Sequence, residues 1–439
     1  MRRRLQAGTP PAVSETDDIR GLPARAAALD LLGTALSRRA GLDEGLNHPA
    51  MAALEPRDRA FARALVMATL RHLGPIDTAL QSRIKKAPPE RIVNVLRLGA
   101  AQLLVLKTPA HAAVGATVDL AAAQKGGEVF KGLVNAVLRG FTRDPVDLDE
   151  PELMLPTWLA ARWRAAYGPE AARAIAAMVA AEPATDVTLQ DPADAAEVAA
   201  ELEATILAEG QLRAGLKGEI STWPGFDAGR WWVQDASAAV PARLLHVQRG
   251  ETALDMCAAP GGKTLQLAAA GARVVALDRS AGRIKRVSEN LSRTGLGAEV
   301  AVADAAEWRD TREFDAVLLD APCSATGTFR RHPDVLWVAS PADIPKLAQV
   351  QMKLLDSAAR RVKSGGRLVY CVCSLEHEEG EGQVAHFLAR HKAFALNPIV
   401  AGEGGSPEAS RRDDGTLRIL PHHREGGTDG FYVARLRKA

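Results

Sequence analysis

The sequence is poor in cysteine and in aromatic residues, and it contains no long hydrophobic run. Four cysteines occur in 439 residues, which does not suggest a disulfide framework in a chain of this length and predicts a reducing, cytoplasmic setting. No apolar stretch of about 18 residues is free of charge, so we expect no transmembrane helix and no membrane partner. The basic start Met1-Arg2-Arg3-Arg4 is not followed by an apolar segment, which argues against a secretory signal.

The net charge of +2 conceals an asymmetry along the chain. Residues 1–145 contain 21 Lys and Arg against 13 Asp and Glu, whereas the remainder contains 34 against 40. A basic N-terminal region joined to a slightly acidic remainder fits a polyanionic partner such as RNA. An ordinary solvated distribution of charge fits the same counts equally well.

The patterning predicts several domains, because the chain is too long for one typical core. Residues 1–20 are polar and indicate a disordered leader. Helical periodicity fills 21–143, a small mixed α/β segment follows at 152–240, and strands alternate with helices over 241–439, which predicts a mainly parallel sheet. The predicted strands of this last region are 251–256, 272–278, 298–303, 314–320, 366–373, 417–421 and 430–436.

A glycine-rich turn follows the first of these strands, in the run Asp255-Met256-Cys257-Ala258-Ala259-Pro260-Gly261-Gly262-Lys263-Thr264. Glycines there allow a ligand to approach the backbone closely, and the start of the next helix offers free N–H groups. The spacing matches neither the dinucleotide nor the triphosphate fingerprint, so neither ligand is indicated.

Two cysteine motifs stand at the carboxyl ends of later predicted strands, Asp320-Ala321-Pro322-Cys323-Ser324 and Cys371-Val372-Cys373-Ser374. Strand ends of an open parallel sheet share one ligand crevice, so both motifs should face the glycine turn. Inert buried cysteines are the commoner case, but a proline is poorly suited to a central strand and argues against simple packing. A zinc site built from the four thiols lacks any C-x-x-C spacing, and we expect no metal.

Together the turn and the two motifs resemble the RNA cytosine-5 methyltransferases of the NOL/NSUN/Sun family. The helical region resembles the RNA-binding NusB fold in Ile76-Asp77-Thr78-Ala79-Leu80 and in Leu133-Val134-Asn135-Ala136-Val137-Leu138-Arg139. The resemblance implies an all-α NusB-like domain, a small α/β adapter that helps hold RNA, and a Rossmann-like catalytic domain that uses S-adenosyl-L-methionine. It further implies that the partner is RNA, with small-subunit rRNA as the first expectation. We expect a monomer, and the sequence leaves any protein partner unknown. A tRNA cytosine-5 methyltransferase and a non-catalytic antitermination-type RNA-binding factor remain the alternatives.

The resemblance also assigns the site. Asp278 lies about 20 positions past the turn and should accept the ribose hydroxyls. Asp304 is expected at the end of the third strand and should lie near the adenine. A carboxylate in either place can instead cap a helix. The expected cofactor-binding residues are Cys257, Ala258, Ala259, Pro260, Gly261, Gly262, Lys263, Asp278, Arg283, Asp304 and Asp320.

For catalysis, the resemblance makes Cys373 the nucleophile toward cytosine C6 and Cys323 the residue that helps remove the C5 proton or release the product. Asp320 should contact the N3/N4 edge of the base, and Lys263 should favour the thiolate or orient Asp320. Cys371 stands where relatives have a small residue, and Val372 replaces a threonine.

Overall fold

In the computed structural model, residues 21–38 and 41–439 are described. They form two compact units, one ending at Pro156 and the other beginning at Thr157. The leader predicted over residues 1–20 lies outside the described residues. Within the described part of the chain, no helix is long and apolar enough to cross a membrane.

The first unit is helical, as predicted, and its described residues contain no strand. Buried leucines such as Leu29, Leu65 and Leu96 form its core, while Arg97 is held by both carboxylate oxygens of Asp77 at 2.7 Å each. The helices are α1 Leu22–Ser37, α2 Gly41–Leu46, α3 Pro49–Ala52, α4 Pro56–Arg71, α5 Leu73–Gln81, α6 Glu90–Leu104, α7 Ala110–Ala122 and α8 Lys131–Arg143.

The second unit begins with a long helix, α9 Thr157–Ala177, which is broken by Gly168 at φ 83° and by the proline that follows it. A four-stranded antiparallel sheet comes next, in the order β2-β3-β1-β4. Trp231 and Trp232 lie in its last strand and are 0% and 3% exposed, so they pack in the interior. The elements are β1 Thr185–Leu189, α10 Ala195–Glu201, β2 Thr205–Ala208, β3 Gln211–Ala214 and β4 Trp231–Val233.

A larger sheet of eight strands forms the rest of the second unit, and all seven predicted strands are present in it. The strands are β5 Thr252–Met256, β6 Arg273–Asp278, β7 Glu299–Val302, β8 Phe314–Asp320, β9 Val362–Val372, β10 Phe394–Leu396, β11 Leu417–Ile419 and β12 Phe431–Lys438. The helices are α11 Ala236–Arg243, α12 Gly262–Ala269, α13 Ala281–Thr294, α14 Asp334–Val338, α15 Ile344–Ala359 and α16 Glu381–Arg390.

The order of this sheet is β10-β12-β9-β8-β5-β6-β7, with β11 paired to β12. Strands β5 to β9 run parallel, and β10, β11 and β12 are antiparallel additions. The chain proceeds outward from β5 through β6 to β7 and then returns to β8 on the other side of β5. That reversal is a topological switch point, where open α/β sheets bind ligands at the carboxyl ends of their strands. The sheet therefore places the glycine turn and both cysteine motifs along one edge.

Candidate active site

The glycine turn joins β5 to α12 through backbone conformations that favour glycine. Gly261 has φ 107° and precedes the first residue of the helix. A Cβ atom there would lie 3.3 Å from the Cα of Val287, so α13 also packs closely against the turn.

Cys257, at the start of the same turn, also has a left-handed backbone conformation, with φ 64°, which is uncommon for a residue other than glycine. Its pKa is raised to about 12 by burial and by the negative charges of nearby aspartates, which keeps this cysteine a thiol.

Asp255 lies beneath this turn and is fully buried. One carboxylate oxygen, Oδ2, accepts a hydrogen bond from the Thr264 hydroxyl at 2.6 Å, whereas Oδ1 has no partner among the described residues. Burial raises the pKa of Asp255 to about 7, although the Thr264 hydroxyl and Lys263 oppose the shift. Asp255 lines a cavity of about 320 Å³, together with Lys263 and Asp320. The site thus offers a cationic ligand group an unsatisfied, buried carboxylate.

Asp278 ends β6 and is 3% exposed. Its carboxylate accepts hydrogen bonds from the backbone amides of Ala259, at 3.2 Å, and Ser280, at 2.9 Å. Ser280, not Asp278, caps α13, since its hydroxyl accepts from the amide of Arg283. The guanidinium of Arg283 donates to the carbonyl of Ala259 at 2.6 Å. Asp278 and Arg283 therefore both hold the turn that is expected to bind the cofactor.

Asp304 lies just beyond the third strand of the predicted series, close to its expected place. Strand β7 ends at Val302, so Asp304 lies two residues beyond the strand, in an exposed turn. Its Oδ1 atom accepts a hydrogen bond from the amide of Ala306 at 2.8 Å, which is the usual local role of an aspartate in a turn. No helix follows directly, so Asp304 is not a helix cap.

Lys263 and Asp320 face each other across the crevice, as predicted. The Nζ atom of Lys263 lies 2.7 Å from Oδ2 of Asp320 and 5.4 Å from the centre of the Phe431 ring. Burial alone would lower the pKa of Lys263, but the charge of Asp320 more than compensates and the net pKa is raised. Cys371 pairs with Asp320 in the sheet, and its thiol lies 3.5 Å from Oδ1. Cys371, which stands where relatives have a small residue, therefore contacts the same carboxylate that Lys263 holds.

The two cysteines expected to carry the chemistry are in contact. The Sγ atoms of Cys323 and Cys373 are 3.5 Å apart, and the backbone amide of Gly327 donates to the carbonyl of Cys373 at 3.0 Å. The hydrogen bond to Cys373 and burial raise the pKa of Cys323 well above its ordinary value, so Cys323 remains protonated beside its neighbour. Across residues 21–38 and 41–439, no group of three or more His, Cys, Asp or Glu is arranged to hold a metal ion.

Two buried acidic residues behind the cysteines were not identified from the sequence. Glu376 is 1% exposed and accepts hydrogen bonds from Trp163, at 3.0 Å, and Arg162, at 2.7 Å. Glu379 is 0% exposed and contacts both serines that follow the cysteines. The run Glu376-His377-Glu378-Glu379 has the composition of a solvated turn, so nothing local distinguishes the buried carboxylates from Glu378, which is half exposed.

Comparison with known proteins identifies the families that this chain resembles. The chain matches the model of the 16S rRNA methyltransferase RsmB/F family over residues 242–437 and that of the NusB family over residues 22–143. Ribosomal RNA small subunit methyltransferase B of Sodalis glossinidius (strain morsitans) is 37% identical over 423 residues, which cover 90% of this chain and 95% of that protein.

Solved structures show the same architecture. The crystal structure of PH0851 is 26% identical with a TM-score of 0.78, covering 95% of this chain and 98% of its own. The structure of a methyltransferase homolog protein from Pyrococcus horikoshii is 27% identical with a TM-score of 0.54, covering 69% of this chain and 98% of its own. The expected resemblance to RNA methyltransferases and to NusB is confirmed, and the chain belongs to the RsmB/F family of 16S rRNA methyltransferases.

Proposed function

We propose that this protein transfers the methyl group of S-adenosyl-L-methionine to C5 of a cytosine in 16S rRNA. The observation that carries the proposal is the pair of thiols, Cys323 and Cys373, in contact beside the Lys263–Asp320 ion pair. Cytosine C5 is a weak nucleophile, and its methylation calls for a covalent catalyst together with a second group that handles the C5 proton. Cys373 and Cys323, which are in contact beyond the ends of two neighbouring strands, are proposed as the covalent catalyst and as the second group.

The residues around the turn fit the cofactor. The unpartnered Oδ1 of Asp255 and the carboxylate of Asp320 favour a ligand that carries positive charge, as the sulfonium and ammonium groups do. Residues 257–263 would hold the amino-acid part, Asp278 with Arg283 the ribose side, and Asp304 the adenine side. When bound there, S-adenosyl-L-methionine supplies an electrophilic methyl group.

In the proposed chemistry, the Cys373 thiol loses its proton to solvent and its sulfur forms a bond to cytosine C6. The electron pair of the C5–C6 double bond is displaced toward N3, where Asp320 binds the N3/N4 edge of the base and Lys263 holds Asp320 in place. C5 becomes nucleophilic as a result and bonds to the methyl group while the bond from that group to sulfur breaks, which leaves S-adenosyl-L-homocysteine. Removal of the C5 proton then restores the double bond and expels Cys373 as a thiolate.

The contact between the two thiols supports their separate roles. Their Sγ atoms are 3.5 Å apart, and this contact together with burial raises the pKa of Cys323, which is therefore proposed to be the donor toward Cys373. A protonated neighbour stabilises a thiolate at Cys373 through a charge-assisted hydrogen bond. Once Cys373 is bonded to C6, that stabilising role ends. With the neighbouring thiolate gone, Cys323 loses its own proton to solvent, and its thiolate then accepts the C5 proton.

The helical unit is proposed to bind the RNA substrate electrostatically. Residues 1–145 carry a surplus of eight positive charges, and this region matches the NusB family. We further propose that the protein acts as a monomer in the cytoplasm, where its rRNA substrate is found. No partner protein is required by the chemistry, since the second unit contains every proposed catalytic group.

Bisulfite sequencing of 16S rRNA and tRNA from a strain lacking the gene tests the proposal. One 16S cytosine should lose its methyl group in the deletion strain and regain it with the wild-type gene but not with Cys373→Ala. Loss of a methyl group from tRNA instead would establish the tRNA alternative. Unchanged methylation of both RNAs, together with retained RNA binding, would favour the non-catalytic factor.

A further inference from the structure

The carboxylate of Glu379 connects the two cysteine loops. Its Oε1 atom accepts a hydrogen bond from the backbone amide of Ser324 at 2.9 Å, and its Oε2 atom accepts from the Ser324 hydroxyl. Oε2 also accepts from the Ser374 hydroxyl at 2.5 Å. Ser324 follows Cys323 directly and Ser374 follows Cys373 directly. One carboxylate is therefore bonded to the residue next to each of the two reacting thiols.

Further contacts fix Glu379 itself. The side-chain amide of Gln351, on α15, donates to Oε1 of Glu379 and to the carbonyl of Pro322, both at 3.0 Å. The hydroxyl of Tyr370, on β9, donates to the backbone carbonyl of Glu379 at 2.5 Å. The network thus extends to the strand that leads into Cys373 and to the helix behind Cys323.

Glu379 has no ion-pair partner among the described residues, although its side chain is fully buried. Burial raises its pKa, against the hydrogen bonds from Ser324 and Ser374 that lower it. A buried carboxylate without a cation costs stability unless several donors satisfy it. Several donors satisfy Glu379, and they come from both cysteine loops and from α15, so the carboxylate links three separate segments at this point.

We propose that Glu379 is a positioning residue for methyl transfer, whose carboxylate holds the loops of Cys323 and Cys373 together and so keeps the two thiols in contact. The proposal rests on the proposed function for its catalytic meaning. Its geometric content is independent, because it concerns the distance between two sulfur atoms. Glu379 contacts neither the glycine turn nor Asp278, so its removal should leave cofactor binding unchanged.

Glu379→Gln is the decisive variant, because it keeps the size of the side chain but replaces an acceptor oxygen with an amide that meets only donors. Glu378→Gln is the matched control, since that neighbour is half exposed and contacts Arg162 instead. The first measurement is the rate at which diamide joins Cys323 to Cys373, followed by peptide mass mapping. The two thiols lose two protons and two electrons, which reduce the diazene to its hydrazine.

We expect the disulfide to form about tenfold more slowly in Glu379→Gln than in the wild type, and at the wild-type rate in Glu378→Gln. In methylation assays, kcat should fall by about the same factor while KM for S-adenosyl-L-methionine stays unchanged. Glu379→Asp, which keeps the charge on a shorter arm, should recover part of both rates.

Wild-type rates of disulfide formation and of methyl transfer in folded Glu379→Gln would overturn the proposal. If that variant does not fold, the double variant Ser324→Ala with Ser374→Ala removes the hydroxyl contacts and must show the same slowing of both rates, or the proposal is wrong. Slower disulfide formation in a protein whose wild type methylates no RNA would uphold the positioning of the thiols and refute the proposed function.

Discussion

Nζ of Lys263 lies 2.7 Å from Oδ2 of Asp320, and the lysine side chain is only 11% exposed. This ion pair crosses the crevice between the first turn of α12 and the end of β8. Removing one partner would leave a buried charge uncompensated, whereas removing both would not.

Asp320→Asn should therefore lower the free energy of unfolding by about 3 kcal/mol, measured by urea denaturation. Adding Lys263→Met should restore most of this stability, because the unpaired cation is gone. Methyl transfer should be abolished in both variants, since Asp320 is proposed to bind the base. Active Asp320→Asn enzyme would show that the carboxylate serves the structure alone.

Cys373→Ala should reduce methyl transfer by about 10²-fold or more, because it removes the proposed nucleophile. Its affinity for S-adenosyl-L-methionine, measured by isothermal titration calorimetry, should be nearly that of the wild type. Cys371→Ala removes a neighbouring thiol that contacts Asp320 but is not the proposed nucleophile, so it should lower turnover far less than Cys373→Ala. Methyl transfer by Cys373→Ala at a rate close to wild type would rule out this nucleophile.

Cys323→Ala should still attack the base but stall before release. A covalent protein–RNA adduct should then accumulate and survive denaturing gel electrophoresis, and Cys373→Ala in the same chain should abolish it. If cofactor and RNA are bound and no adduct forms, Cys323 does not act at the release step.

The buried carboxyl of Asp255 should make stability depend on pH. Its pKa is about 7 in the folded protein, against an ordinary value of 3.8. Between these values the folded state keeps a proton that the unfolded chain has released, so the free energy of unfolding falls as pH rises through this window and levels off above it. A shift of one pKa unit corresponds to about 1.4 kcal/mol, which limits the effect to a few kcal/mol.

Asp255→Asn should remove that dependence. The melting temperature of the variant minus that of the wild type should increase between about pH 5 and about pH 8. Asp304→Asn removes the same charge from an exposed turn and provides the control. A difference in melting temperature that is flat across this range would contradict a raised pKa at Asp255.

A chain beginning at Thr157 should keep cofactor binding, because all proposed cofactor residues lie in the second unit. It should bind 16S rRNA more weakly and with a shallower dependence of log affinity on log salt, by about 0.7 to 0.9 for each phosphate that the shortened protein no longer neutralises. Fluorescence anisotropy over a series of salt concentrations measures that slope. An unchanged slope and affinity would mean that the helical unit does not clamp RNA.

The periodicity and the motifs of the chain were enough to predict the helical first unit, the strands of the larger sheet and the groups at their carboxyl ends. Lys263 lies in the first turn of the helix that follows β5, and Asp320, Cys323 and Cys373 lie at or just beyond the ends of β8 and β9. These residues could be predicted to meet, because parallel strands bring their carboxyl ends to one edge of the sheet. Strand β10, Phe394–Leu396, escaped prediction because it is short and contains no β-branched residue, whereas the equally short β11 contains an isoleucine.

Which carboxylates are buried, and which groups they bind, depends on packing between segments that are distant in the chain. Asp278 and Asp304 both follow predicted strands, yet Asp278 is buried and Asp304 is exposed. Glu378 and Glu379 are adjacent and identical in type, yet one contacts Arg162 and the other joins the two cysteine loops. Their difference arises from α15 and from residues about 50 positions away, because burial is a property of the packed chain and not of its local composition.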